Sequence, residues 1–131
     1  MATQVLIVDD AGFIREILRS LCDRAGLVVV GEAVDGLDAV RLAMRLKPDL
    51  ILMDLVLPLK NGIQATQEIL ETHPEIRVIA CTTLVDEQFV QEAKNAGCVG
   101  VLQKPFRKKD FDEMIQTSFY GQEVKHAWRN V

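Results

Sequence analysis

The chain has 131 residues, of which 49% are hydrophobic and 26% charged, with a formal net charge of −4. That size suits one compact domain of about 100–150 residues, and the apolar share is far too high for a disordered chain. The acidic balance gives no support for nucleic-acid binding, and no apolar run approaches the roughly 20 residues of a membrane helix.

Met1, Ala2, Thr3 and Gln4 lack the basic and apolar segments of a secretory signal. Three cysteines, Cys22, Cys81 and Cys98, stand in apolar surroundings and cannot all pair, so reduced thiols and a cytoplasmic setting are expected.

Along the chain, short apolar runs alternate with helical patterns. A first strand is predicted at 5–8. The stripe Ile14, Ile17, Leu18, Leu21, Cys22 and Ala25 then marks a helix stopped by Gly26. A second strand at 27–30 has the weakest pattern and suits a sheet edge. Asp35 caps a second helix through Leu37, Val40, Ala43 and Met44. Strand 50–53 follows, then a helix opened by Asn61 and Gly62, carrying Ile63, Thr66, Ile69 and Leu70 and ended by Pro74. Strand 78–81 leads to a helix capped by Asp86, with Phe89, Val90, Ala93 and Ala96 before Gly97. The last strand is predicted at 99–102, and a fifth helix after Pro105 carries Phe111, Met114, Ile115 and Phe119.

The order is (βα)5, an α/β domain. Near-continuous apolarity in the strands points to a parallel sheet covered by helices on both faces through right-handed crossovers. The domain is predicted to span 1–121. Residues 122–131 form a separate tail whose Val124, Ala127 and Trp128 are expected to pack on the domain.

In an open parallel sheet, sites form beyond the carboxyl ends of the strands. Strand one ends in Asp9 and Asp10, strand three in Asp54, strand four in Thr82 and Thr83, and strand five in Lys104 and Pro105. Three carboxylates within about 5 Å repel by roughly 3 kcal/mol per pair at an effective dielectric of about 20. Either one is protonated or a cation is bound. Oxygen ligands without nearby His or Cys favour magnesium, with Lys104 adding charge and Thr82 a hydroxyl, a set able to hold a phosphoryl group on Asp54. Each residue alone also has a plain structural role: Asp9 and Asp10 as helix caps, Asp54 as a turn acid, Thr82 as a strand-end hydroxyl, Lys104 as a solvated amine. Their coincidence on four strand ends favours function.

No phosphate-loop, dinucleotide or nucleophile-elbow motif occurs, and His73 and His126 are isolated.

The run from Val5 to Asp9 and Asp10, Leu52 to Asp54 with Pro58 and Gly62 following, Thr82, and Lys104 to Phe106 together resemble the receiver domains of two-component response regulators. The resemblance spans 4–119 and implies the CheY-like, flavodoxin-like sheet order 2-1-3-4-5. It implies Asp54 as phospho-acceptor from a sensor histidine kinase or phosphotransfer protein. Mg2+ would be held by Asp9, Asp10, Asp54 and the Val56 backbone carbonyl, with Thr82 and Lys104 on the phosphoryl oxygens and a cis Lys104–Pro105 bond. Such a chain is a switch rather than an enzyme acting on other substrates. Its face of helix four, strand five and helix five is read by a protein target, of which the flagellar motor switch is the familiar case. A monomer is expected, with dimerisation linked to phosphorylation. Val101 stands where the family carries an aromatic switch, Thr83 where a small residue is usual, and Val56 and Leu84 where polar side chains tune hydrolysis. Slow phosphate loss is therefore expected.

Two other readings compete. One is a degenerate receiver acting as a scaffold without phosphorylation. The other is an aspartyl phosphohydrolase, which needs a second acid two residues beyond its nucleophile, where this chain has Val56 after Asp54 and Ala11 after Asp9.

Overall fold

The computed structural model describes residues 2–83 and 86–119. The expectations placed on Leu84 and on 122–131 lie outside the described residues. The chain runs β1 (Gln4–Val8), α1 (Gly12–Arg24), β2 (Val28–Ala33), α2 (Gly36–Leu46), β3 (Leu50–Asp54), α3 (Gly62–Thr72), β4 (Arg77–Thr82), α4 (Glu87–Ala96), β5 (Gly100–Gln103) and α5 (Lys108–Phe119). All strand pairs are parallel, in the order β2-β1-β3-β4-β5. The alternation read from the sequence and the implied order both hold.

Side-chain alternation along the strands divides the core in two. Val5, Ile7, Leu50, Leu52, Ile79, Cys81 and Leu102 pack with Leu18, Leu21 and Cys22 of α1 and Phe111, Met114 and Ile115 of α5. Leu6, Val8, Ile51, Met53, Val78, Ala80 and Val101 pack with residues of α2, α3 and α4. A sheet buried on both sides needs apolar residues at consecutive positions, which is why these strands read as unbroken runs. Each fully buried Val, Leu or Ile contributes about 1.5–3 kcal/mol.

The helix starts follow local chemistry. Asp35 accepts the Asp38 N–H at 2.7 Å, Asp86 accepts the Phe89 N–H at 3.0 Å, and Asn61 forms a reciprocal capping box with Gln64. Gly26 and Gly97 follow the ends of α1 and α4 with φ of 78° and 109°, where a side chain would be strained.

Two local readings change. The second strand begins at Val28 and continues through Gly31 and Glu32 to Ala33, beyond the apolar run. Its backbone keeps pairing with β1 past a register shift (Leu6↔Gly31, Ile7↔Glu32, Val8↔Ala33), and at a sheet edge a polar side chain stays partly solvated. Nor do Asp9 and Asp10 cap the first helix, because its cap position is Ala11 with no side-chain bond.

Candidate functional site

The register brings the strand ends level. Val8 pairs with Met53, Asp54 with Cys81, and Thr82 with Gln103. Asp9, Asp54, Thr82 and Lys104 thus leave the sheet at one rim. Asp9 is 1% exposed, Asp54 5% and Thr82 2%, whereas Asp10 is exposed. One carboxylate oxygen from each of Asp9, Asp10 and Asp54 lies within 4.8 Å of the others.

The same rim carries a cation. Lys104 Nζ donates to Asp9 Oδ2 at 2.7 Å and lies 3.3 Å from Asp54 Oδ2. Its backbone N–H donates to the Thr82 carbonyl at 2.9 Å, tying the tip of β5 to that of β4 ahead of a cis Lys104–Pro105 bond. Backbone amides orient the acids. The Ala11 N–H donates to Asp9 Oδ1 at 2.9 Å and the Val56 N–H to Asp54 Oδ1 at 3.1 Å. Val56 itself is 57% exposed beside Asp54.

Burial governs the electrostatics. Desolvation pushes the Asp54 carboxyl above its ordinary value, and the charge of Asp9 adds to this; the Val56 N–H and Lys104 pull the other way without prevailing. Burial also pulls the Lys104 ammonium down, but its hydrogen bond to Asp9 and the fields of Asp54 and Asp9 outweigh that and leave it raised. Lys104 is therefore held as a cation while Asp54 remains short of compensation. An all-oxygen donor set with uncompensated charge is what a hard divalent ion fits, and no His or Cys belongs to the cluster.

The loop from β3 to α3 is held by two close backbone approaches. A Cβ at Gly62 would lie 2.2 Å from the Asp54 carbonyl oxygen, and one at Gly36 would lie 1.7 Å from that of Lys60. Only glycine allows either contact. Between them Leu59 stands 78% exposed with φ of 68°.

The structure thus gathers Asp9, Asp10, Asp54, Thr82, Lys104 and Val56 at one rim, as the sequence led us to expect. Reading the sequence missed the backbone contacts of Gly36 and Gly62. It also missed Arg15, whose Nη1 donates to the Asp9 carbonyl at 2.8 Å. Val101 is buried against the α2, α3 and α4 side of the sheet, paired with Ala80.

Comparison with known proteins agrees with this arrangement. The response regulator receiver domain family matches residues 5–116. Chemotaxis protein CheY of Thermotoga maritima is 41% identical over 107 residues, covering 82% of this chain and 89% of that protein. Protein CcdB of Bacillus subtilis is 42% identical over 113 residues, covering 86% and 94%. Among solved structures, CheY in the CheX–CheY–BeF3–Mg2+ complex of Borrelia burgdorferi superposes with a TM-score of 0.86 at 27% identity, covering 89% of both chains.

Proposed function

Because this chain belongs to the response regulator receiver family, we propose that it is a phosphorylation-operated signalling switch whose Asp54 accepts a phosphoryl group. One observation carries the reading: three carboxylates converge within 4.8 Å while Lys104 spans two of them. The buried Asp54 is the nucleophile. Its carboxylate oxygen bonds to phosphorus as the phosphorus–nitrogen bond of a donor phosphohistidine breaks and the imidazole leaves with the electron pair. The Val56 N–H fixes the Asp54 carboxylate, Lys104 meets the equatorial oxygens, and the Thr82 hydroxyl donates to one of them. Asp9, Asp10, Asp54 and the Val56 carbonyl are the groups that would hold Mg2+, which when bound neutralises the incoming phosphoryl charge. The Borrelia relative, solved with BeF3 and Mg2+, supports this assignment.

The donor is a sensor histidine kinase or a phosphotransfer protein, and the chain catalyses only its own phosphorylation and dephosphorylation. The acyl phosphate adds about −1.5 to −2 charge at the strand tips, draws Thr82 toward it and repacks the face of α4, β5 and α5 for a protein target. With Val101 buried in the core, that repacking proceeds without an aromatic side chain at this position of β5. The likeness to CheY makes a chemotaxis target the first to try, in the cytoplasm. Among the described residues no helix is long and apolar enough to cross a membrane.

Incubation with a small phosphodonor and Mg2+, followed by intact mass measurement, tests the reading. One added phosphoryl group is expected, absent in Asp54→Asn and absent with chelator. An unmodified wild-type chain would instead support the scaffold reading.

A further inference from the structure

Arg15 lies in the first turn of α1 and its guanidinium turns back toward the end of β1. Nη1 donates to the Asp9 carbonyl at 2.8 Å, while Nε donates to Glu32 Oε1 at 2.8 Å. Glu32 is shared, for its Oε2 accepts from Arg19 Nη2 at 2.6 Å. The Arg15 side chain is 20% exposed and that of Glu32 31%. One planar fork therefore ties the backbone of Asp9 to the edge strand β2. The other polar groups of Asp9 are also engaged: its N–H donates to the Ala33 carbonyl, Oδ1 accepts from Ala11 and Oδ2 from Lys104. Among the described residues, it is the Arg15 side chain whose hydrogen bond reaches the Asp9 backbone.

We propose that Arg15 is a positioning residue for the divalent ion, fixing through the Asp9 carbonyl and Glu32 the turn that aims Asp9 and Asp10 into the acid cluster. The inference rests on reading that cluster as an Mg2+ site. Arg15 cannot be a ligand, and as a bare cation beside the site it would oppose Mg2+. Glu32, shared with Arg19, offsets part of that charge and leaves the donor contact, an arrangement like the partners that orient metal ligands from behind.

Charge and positioning predict opposite signs. If Arg15 acted only by its charge, Arg15→Ala would tighten Mg2+ binding and Arg15→Lys would leave it unchanged. Positioning requires both to weaken it, because lysine keeps the charge but its single ammonium nitrogen cannot occupy the separate Nη1 and Nε positions that meet the Asp9 carbonyl and Glu32. Calorimetric Mg2+ titration of the full chain at fixed ionic strength should show a loss of about tenfold for each variant. Glu32→Gln should shift affinity the same way, and the Arg15→Ala/Glu32→Gln double variant should bind no worse than Arg15→Ala alone. In the metal-free protein, the backbone resonance of Ala11 should move in Arg15→Ala, a readout independent of activity. Should Arg15→Ala fail to fold, Arg15→Lys carries the test. Wild-type affinity in folded Arg15 variants, or tighter binding in Arg15→Ala, overturns the inference and leaves the site reading standing. A wild-type chain that binds no Mg2+ overturns both.

Discussion

Lys104 leans toward Asp9 rather than Asp54: its ammonium is 2.7 Å from Asp9 Oδ2 and 3.3 Å from Asp54 Oδ2. In this state the lysine supplies part of the positive charge that a divalent ion would bring to the three carboxylates. On the proposed phosphorylation of Asp54, it would have to loosen from Asp9 to meet the phosphoryl group.

Lys104→Met should therefore tighten Mg2+ binding several-fold, by removing a competing cation, while costing about 3 kcal/mol of metal-free stability at neutral pH, since buried carboxylates lose their partner. Urea unfolding with and without Mg2+ measures both. Weaker Mg2+ binding in this variant would contradict the competition.

Gly62→Ala tests the close approach of α3 to the Asp54 backbone. With a Cβ only 2.2 Å from the Asp54 carbonyl oxygen and 2.7 Å from the Leu55 Cα, backbone must shift on one side or the other. A loss of about 2–3 kcal/mol, in the upper range for overpacking, is expected, with slower phosphorylation of Asp54. Gly26→Ala, where a Cβ meets nothing within 4 Å, would cost only its positive-φ strain and leave phosphorylation unchanged.

The Glu32 carboxyl is held below its ordinary value, chiefly by its hydrogen bond to Arg19, with Arg15 adding to this against a smaller effect of burial. A depressed folded value means the unfolded chain binds the proton more tightly, so Glu32 adds stability that is complete above about pH 5 and fades as pH falls through the folded value. Wild type should out-melt Glu32→Gln at pH 7, and the gap should close on acidification. A gap that widened toward low pH would reverse the assigned sign.

Val56 is 57% exposed next to Asp54 and offers no polar side chain to orient water. The acyl phosphate should be long-lived, and Val56→Asn should shorten its lifetime several-fold without changing the melting temperature. Rapid loss in wild type, unchanged in the variant, would count against this.

The sequence carried the fold because strands buried on two faces must be apolar at every position, as 50–53 shows, and because Asp35, Asn61 and Asp86 announce their helices by capping. The site was legible for a related reason, since strand-end residues such as Asp54 and Lys104 fall at one rim in any parallel sheet of this type. Contacts that depend on register were not legible. Glu32 lies beyond the apolar part of β2, and only pairing with Ile7 sets it opposite α1, where Arg15 and Arg19 reach it. Gly62 reads in sequence as a helix opener, whereas its closer constraint is the Asp54 backbone, which sequence distance does not reveal.

The three free thiols divide between the two halves of the core. Cys22 and Cys81 lie on the α1 and α5 side, Cys98 on the other, and all three are buried. Burial pushes Cys22 and Cys98 up to about 12 and Cys81 well above its ordinary value, so the folded protein presents almost no thiolate. Alkylation must then wait for the chain to open. Labelling rates at Cys22 and Cys98 become separate clocks for the two halves, able to report which of them breathes under the phosphorylation proposed for Asp54.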